Sequence, residues 1–304
     1  MNFIIFTIFS LGISTFNNTE EFLFIGHAYG STFEKDHQID PKLLSFFYQG
    51  GLENYKYIIW GGDFIEDCNN EVEIYNFNNL LPKSVLEKSI YVIGNHESAC
   101  YGLDKLSFIK KDENRLLRHS SHDIFFLNTN FKNYKEADSL SIIINSSKRD
   151  KLIFTHQVIF SKTDWLFRTN SRENYAIANY FYDRINKDKN RINFIAGDVG
   201  AYTKMPFLTF FKNRNNNFIT SGIGNKKNNY VLAIRIENGE VTYNKINLDN
   251  HNKTNLNSSS IITYQIKNFF QYTFLSQKRT FVFILLFIML ILFKVNFVSR
   301  VKRR

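Results

Sequence analysis

Short apolar runs of strand length recur along the chain at Phe22–Ile25, Tyr57–Trp60, Ile90–Ile93, Ile124–Leu127, Leu152–Thr155 and Ile192–Ala196. Unbroken runs of this kind, closed by turn residues, are the pattern of strands buried on both faces. The stretches between several of them have helical periodicity instead. Ala137, Leu140, Ile143 and Ile144 fall on one helical face, as do Tyr175, Ala178, Tyr182 and Ile185. After Pro206 the pattern shortens to strand-like segments at Phe207–Phe211, Phe218–Ser221, Tyr230–Ile236 and Val241–Ile246. The last two flank Asn238-Gly239, a strong hairpin signal. Strands alternating with helices and followed by a β meander predict an α/β sandwich of one domain, over 20–249, with no internal repeat. The long connections Ser31–Leu52 and Ser98–Asp123 carry no pattern that assigns their elements.

Both ends depart from this pattern. Asn2–Ile13 is an apolar run followed by the small residues Ser14 and Thr15, the layout of a signal peptide over 1–15. Phe281–Phe293 is apolar and uncharged without a polar face, and the apolar character resumes after Lys294 through Val298. A helix of this length at about 1.5 Å per residue approaches the roughly 30 Å of a hydrocarbon core, so 280–298 is expected to cross a membrane once. The Asn- and Ser-rich start of 250–279 reads as a linker, and the basic 299–304 as a cytoplasmic tail. The expected topology is a single-pass membrane protein whose main domain lies on the extracytoplasmic side.

Charge sharpens that picture. The chain of 304 residues has 38 Lys and Arg against 28 Asp and Glu, a net +10. Seven of those cations lie between Lys278 and Arg304, where no acid occurs, which leaves 31 against 28 for 1–277. The excess therefore brackets the expected anchor, and the near-neutral body argues against a nucleic-acid partner. A hydrophobic fraction of 44% excludes a disordered chain.

Candidate chemistry collects just after the strands. Phe22–Ile25 runs into Gly26-His27-Ala28-Tyr29, Tyr57–Trp60 into Gly61-Gly62-Asp63, Ile90–Ile93 into Gly94-Asn95-His96-Glu97, Leu152–Thr155 into His156, and Ile192–Ala196 into Gly197-Asp198. Ligands in α/β sheets bind beyond the carboxyl ends of the strands, where glycine lets the backbone turn and approach closely. Five such strand ends, each with a metal-competent polar group, are hard to explain as five turns. Imidazole, carboxylate and amide ligands without a thiolate suit a divalent transition metal such as Mn, Fe or Zn.

The series resembles the calcineurin-like metallophosphoesterases, whose motifs run D-x-H, G-D-x-x-[DE], G-N-H-[ED], a lone His, and G-H-x-H. Gly62-Asp63-Phe64-Ile65-Glu66 matches the second, Gly94-Asn95-His96-Glu97 the third and His156 the fourth. Where the first motif has D-x-H this chain reads His27-Ala28-Tyr29, and where the last has G-H-x-H it reads Gly197-Asp198-Val199-Gly200. The resemblance implies a four-layer α/β/β/α sandwich with mixed sheets. It implies one or two metal ions held by His27, Asp63, Asn95, His156 and Asp198, with Asp63 shared between the two positions. It assigns His96 the stabilisation of phosphoryl oxygens or protonation of the leaving group. The implied activity is hydrolysis of a phosphomonoester or phosphodiester by a metal-activated hydroxide. The altered first and last motifs leave one metal position firm and the other weak or absent, with Tyr29, Asp40 and Glu66 as further candidates. They also define the alternative, a catalytically reduced metal-binding or scaffold protein on the same fold.

Cys68 and Cys100 follow Asp63 and Asn95 at the same spacing. They either form a disulfide at the rim of the site or stand as two thiols. His37, His119, His122 and His251 fall in polar connections and are expected at the surface. Asn-x-Ser/Thr sequons occur at Asn17, Asn145, Asn252 and Asn257.

Overall fold

The computed structural model describes residues 19–29, 39–67, 69–99, 114–158, 172–185, 190–198, 209–213, 215–223, 229–260, 282 and 285–289. The expected signal peptide, the tail, His37, Cys68, Cys100 and Gly200 lie outside them.

The first sheet contains β1 (Thr19–Ile25), β2 (Tyr57–Trp60), β3 (Ser89–Tyr91), β10 (Tyr230–Glu237), β11 (Glu240–Asn247) and β12 (Lys253–Asn255). Its order is β12-β11-β10-β1-β2-β3. Strands β1, β2 and β3 are parallel, and β10 joins β1 antiparallel with Phe22 opposite Ile234. The second sheet contains β4 (Asn114–Arg118), β5 (His122–Leu127), β6 (Asp150–Thr155), β7 (Ile192–Ala196), β8 (Thr209–Asn213), β9 (Asn216–Thr220) and β13 (Ser259–Ser260). Its order is β13-β8-β9-β7-β6-β5-β4, with β5, β6, β7 and β9 parallel. Both sheets are therefore mixed.

Strand alternation sorts the core into layers. In β1, Phe22 and Phe24 enter the cluster that also takes Leu152 and Phe154 of β6, Ile195 of β7 and Phe126 of β5. That cluster is the interior between the two sheets. Leu23 and Ile25 point the other way, into a cluster with α1 (Pro41–Tyr48), α2 (Glu71–Leu80) and α3 (Lys83–Glu87). On the far side, Ile153 and Phe194 pack against α5 (Tyr134–Ser146) and α6 (Arg172–Ile185). The result is an α/β/β/α arrangement. Two asparagines and an aspartate begin three of the helices. Asn133 caps α5 by accepting from the Lys135 and Glu136 N–H groups, Asn70 caps α2, and Asp40 caps α1 ahead of Pro41.

The expected strands and the face of α5 are present with small shifts of boundary; of the expected α6 face Tyr182 and Ile185 are buried, and the side chains of Tyr175 and Ala178 lie outside those described. Three differences have physical causes. Strand β4 was hidden in the long connection before Asp123, and it turns the polar stretch His119–His122 into a tight hairpin closed by the His119 N–H on the His122 carbonyl at 2.8 Å. Both histidines are consequently buried rather than at the surface. The Asn-rich stretch expected to be linker from residue 250 contributes β12 and β13 to the two sheets, because the backbone of 253–255 pairs with β11. His251 is half-buried, with its ring edge-on to Phe46 at 5.5 Å.

Among the described residues no helix is long and apolar enough to cross a membrane. Of the expected anchor only 282 and 285–289 are described; they are helical, and their apolar side chains are exposed.

Candidate metal centre

The carboxyl ends of the parallel strands from both sheets meet at one edge of the sandwich. His27 follows β1, Asp63 follows β2, Asn95 opens the short helix α4 (Asn95–Ser98) after β3, His156 follows β6 and Asp198 follows β7. The backbone is stitched across this edge: the His27 N–H donates to the Gly62 carbonyl at 3.2 Å, and the Asp198 N–H to the His156 carbonyl at 2.8 Å. His27 and Asp63 both sit at positive φ, 52° and 51°. Such φ values are uncommon for residues with a side chain and are held here by the surrounding bonds. Two glycines are required by close approach. A Cβ on Gly62, itself at φ 83°, would lie 2.4 Å from His156 Nδ1, and one on Gly94 would lie 2.2 Å from Asp63 Oδ1.

Asp63, His156 and Asp198 are buried, and their ligand atoms lie within 4.8 Å of one another. His156 Nδ1 donates to the Gly61 carbonyl at 3.0 Å, because a carbonyl only accepts. That leaves the Nε2 lone pair facing three oxygens: Asn95 Oδ1 at 2.8 Å, Asp63 Oδ2 at 3.4 Å and Asp198 Oδ1 at 3.9 Å. A lone pair turned on two carboxylates and an amide oxygen is repulsive unless a cation lies among them. Without metal, a proton fills that role. Burial disfavours charge on His156, yet Asp63, Asp198 and the bond to Gly61 raise its pKa to about 10. A divalent metal supplies the same compensation with a donor set of imidazole, amide and carboxylate oxygen, so the residues fit the ion.

Asp63 is the hub. Burial opposes its ionisation, but His156, His27 and His96 together hold its carboxyl well below the usual carboxylate range. His27 Nε2 lies 3.7 Å from Asp63 Oδ2, and burial lowers the His27 pKa to about 4 despite that neighbour. His96 Nε2 is 4.0 Å from the same oxygen, and the His96 N–H donates to Asp63 Oδ1 at 3.2 Å. His96 Nδ1 donates to the Glu66 carbonyl at 2.6 Å, so its Nε2 accepts from the Tyr29 hydroxyl at 3.3 Å.

The structure thus brings His27, Asp63, Asn95, His96, His156 and Asp198 to one place. Asp40 is elsewhere, accepting from the Lys42 N–H at 2.8 Å and from Asn229 Nδ2 at 2.9 Å. The residue that motif reading left without a role is Glu97. Fully buried, it accepts four backbone N–H groups: Oε1 takes Phe64 at 2.9 Å and Ile65 at 3.2 Å, and Oε2 takes Asp63 at 3.0 Å and Gly94 at 2.8 Å. It fastens the Asp63 loop to the Asn95 loop. Burial and the adjacent Asp63 charge push its pKa up to about 7 against those bonds. The signal for it was an acid two residues after a candidate ligand in a short polar turn.

Two mixed sheets face to face, helices on both outer faces and a buried Asp-His-Asp group at the strand ends define an α/β/β/α sandwich with a group that could hold a metal ion. No family model matches the chain, and no curated protein matches it. Among solved structures it is similar in fold to GAP50, titled the anchor in the inner membrane complex of Plasmodium. That likeness has 12% identity and TM-score 0.53, over 83% of this chain and 94% of that one. Vacuolar protein sorting 29 from Cryptosporidium parvum matches at 10% identity and TM-score 0.40, over 78% of this chain and 96% of that one. A protein of Streptococcus pneumoniae titled a predicted phosphoesterase matches at 11% identity and TM-score 0.38, over 78% and 93%.

Proposed function

We propose that the chain is a membrane-tethered, exported metallophosphoesterase that hydrolyses a phosphomonoester or phosphodiester. The observation that carries this reading is the set of oxygens around the buried His156 Nε2, from the buried Asp63 and Asp198 and from the exposed Asn95. A bound Mn, Fe or Zn ion supplies Lewis acidity and an acidified water at neutral pH. Asp63, Asn95, His156 and Asp198 hold the ion. His96, 28% exposed in its side chain where Asp63, His156 and Asp198 are buried, is the group that reaches a phosphoryl oxygen or the leaving group. Its Nδ1–H on the Glu66 carbonyl fixes the ring so that Nε2 faces Asp63. Membrane attachment is supported by the apolar run Phe281–Phe293 and by exposed helical side chains from Leu285 to Met289.

A second reading is a membrane anchor on the same fold with catalysis reduced or lost. It is favoured by Tyr29 in the first motif and by the fold likeness to a chain titled an anchor. Turnover of a broad phosphoester panel by Mn-loaded protein separates the two. Hydrolysis that disappears in His156→Ala supports the enzyme. A metal-loaded, folded chain without turnover on any ester supports the anchor and refutes the enzyme.

A further inference from the structure

The two sides of Asp63 are unequal. Toward His156 the carboxylate is joined by an imidazole, an amide oxygen and a second carboxylate, all from different strand ends. Toward His27 it meets that imidazole, whose Nε2 is 3.7 Å away and whose Nδ1 is buried with no hydrogen-bond partner, and the His96 imidazole, whose Nε2 is 4.0 Å away and accepts from Tyr29. The rest of that side is taken by Tyr29, itself buried at 5% exposure. Its ring lies 4.3 Å from the His27 ring and 5.4 Å from the His96 ring, centroid to centroid. Its hydroxyl donates to His96 Nε2. Transition-metal sites are commonly built from three or more protein ligands, and among the described residues this side offers His27, a shared carboxylate oxygen and a His96 Nε2 already engaged by the Tyr29 hydroxyl.

We infer that Tyr29 closes the first metal position and that the chain binds a single divalent ion, at Asp63, Asn95, His156 and Asp198. This rests on the metal-binding part of the proposed function and not on turnover. Of the one or two ions that the motif order implies, it assigns one. The place of a second cation is held by a hydrogen-bonded pair, Tyr29 and His96, whose polar hydrogens are already taken up by His96 Nε2 and by the Glu66 carbonyl.

The test is metal stoichiometry and Mn(II) electron paramagnetic resonance on the full chain in detergent, stripped with chelator and reloaded with Mn. The wild-type chain is expected to hold one Mn and give the six-line spectrum of an isolated ion. Tyr29→His, which adds an imidazole beside His27 and Asp63, is expected to rise to two Mn with a spin-coupled spectrum. Tyr29→Phe keeps the ring and is expected to stay at one. Two coupled ions in the wild type, or in Tyr29→Phe, would overturn the inference, as would a folded Tyr29→His that stays at one. No bound Mn in folded wild type would overturn the metal centre itself, an outcome distinct from two ions.

Discussion

Replacing Glu97 by Gln keeps the shape of the side chain and changes one oxygen to an amino group. In the wild type each carboxylate oxygen accepts two backbone N–H groups, Phe64 and Ile65 on one, Asp63 and Gly94 on the other. Gln retains one acceptor for one pair and turns two further donors on the other pair. Each buried donor left unsatisfied costs about 1–3 kcal/mol, so the loss is about 2–6 kcal/mol. A typical domain is stable by only about 5–15 kcal/mol, so this is a large fraction. The assay is urea unfolding at pH 8, above the Glu97 pKa of about 7, so that the wild-type carboxylate is ionised. Metal affinity is followed in parallel by calorimetry, because the same bonds hold Asp63 at its positive φ of 51°. The expected result is a lower urea midpoint and weaker metal binding together. A Glu97→Gln protein within about 1 kcal/mol of wild type, with unchanged affinity, would refute the role of Glu97 as the clamp between the two loops.

Phe154 lies between Phe24 at 5.6 Å and Phe126 at 5.2 Å in the interior between the sheets, and Phe154→Ala is expected to cost about 3–5 kcal/mol by calorimetric or urea unfolding. Asp40→Ala removes the cap of α1 and the bond to Asn229; about 1–2 kcal/mol of stability should go while metal content stays unchanged, which elemental analysis checks. His122 is buried and its pKa is lowered to about 4, chiefly by burial. The unfolded chain therefore takes up its proton first, and the stability this group contributes is full above pH 6.5 and is lost as pH falls toward 4. The loss is on the order of 3 kcal/mol, read as the difference between wild type and His122→Gln in unfolding measured across that window.

The strands and their ends were legible because a strand buried on both faces, such as β7, must be apolar throughout and then break abruptly at Gly197-Asp198. The face of α5 was legible because Ala137, Leu140 and Ile144 are three of its four buried residues, with Ser141 the fourth. Helix α2 was not, because one of its two buried side chains is Glu73, which accepts the Glu66 and Asp67 N–H groups and so puts a charge where the pattern calls for an apolar residue. Strand β4 was masked by arginines at both ends of its apolar pair, Leu116-Leu117. Without β4, His119 and His122 had no reason to be inside. The candidate ligand positions were read from strand ends and motif order, since each follows a different strand and only topology brings them together. Asp40 shows the converse: a carboxylate in an unassigned connection reads as a ligand until Pro41 and the first turn of α1 account for it.

Anomalous diffraction from a Mn-loaded crystal, recorded at the metal edge, tests the central claim most directly. The account predicts a peak enclosed by Asp63, Asn95, His156 and Asp198, lost in Asp198→Ala. A metal-loaded crystal with no peak there, or with its ion bound away from these four residues, would contradict it.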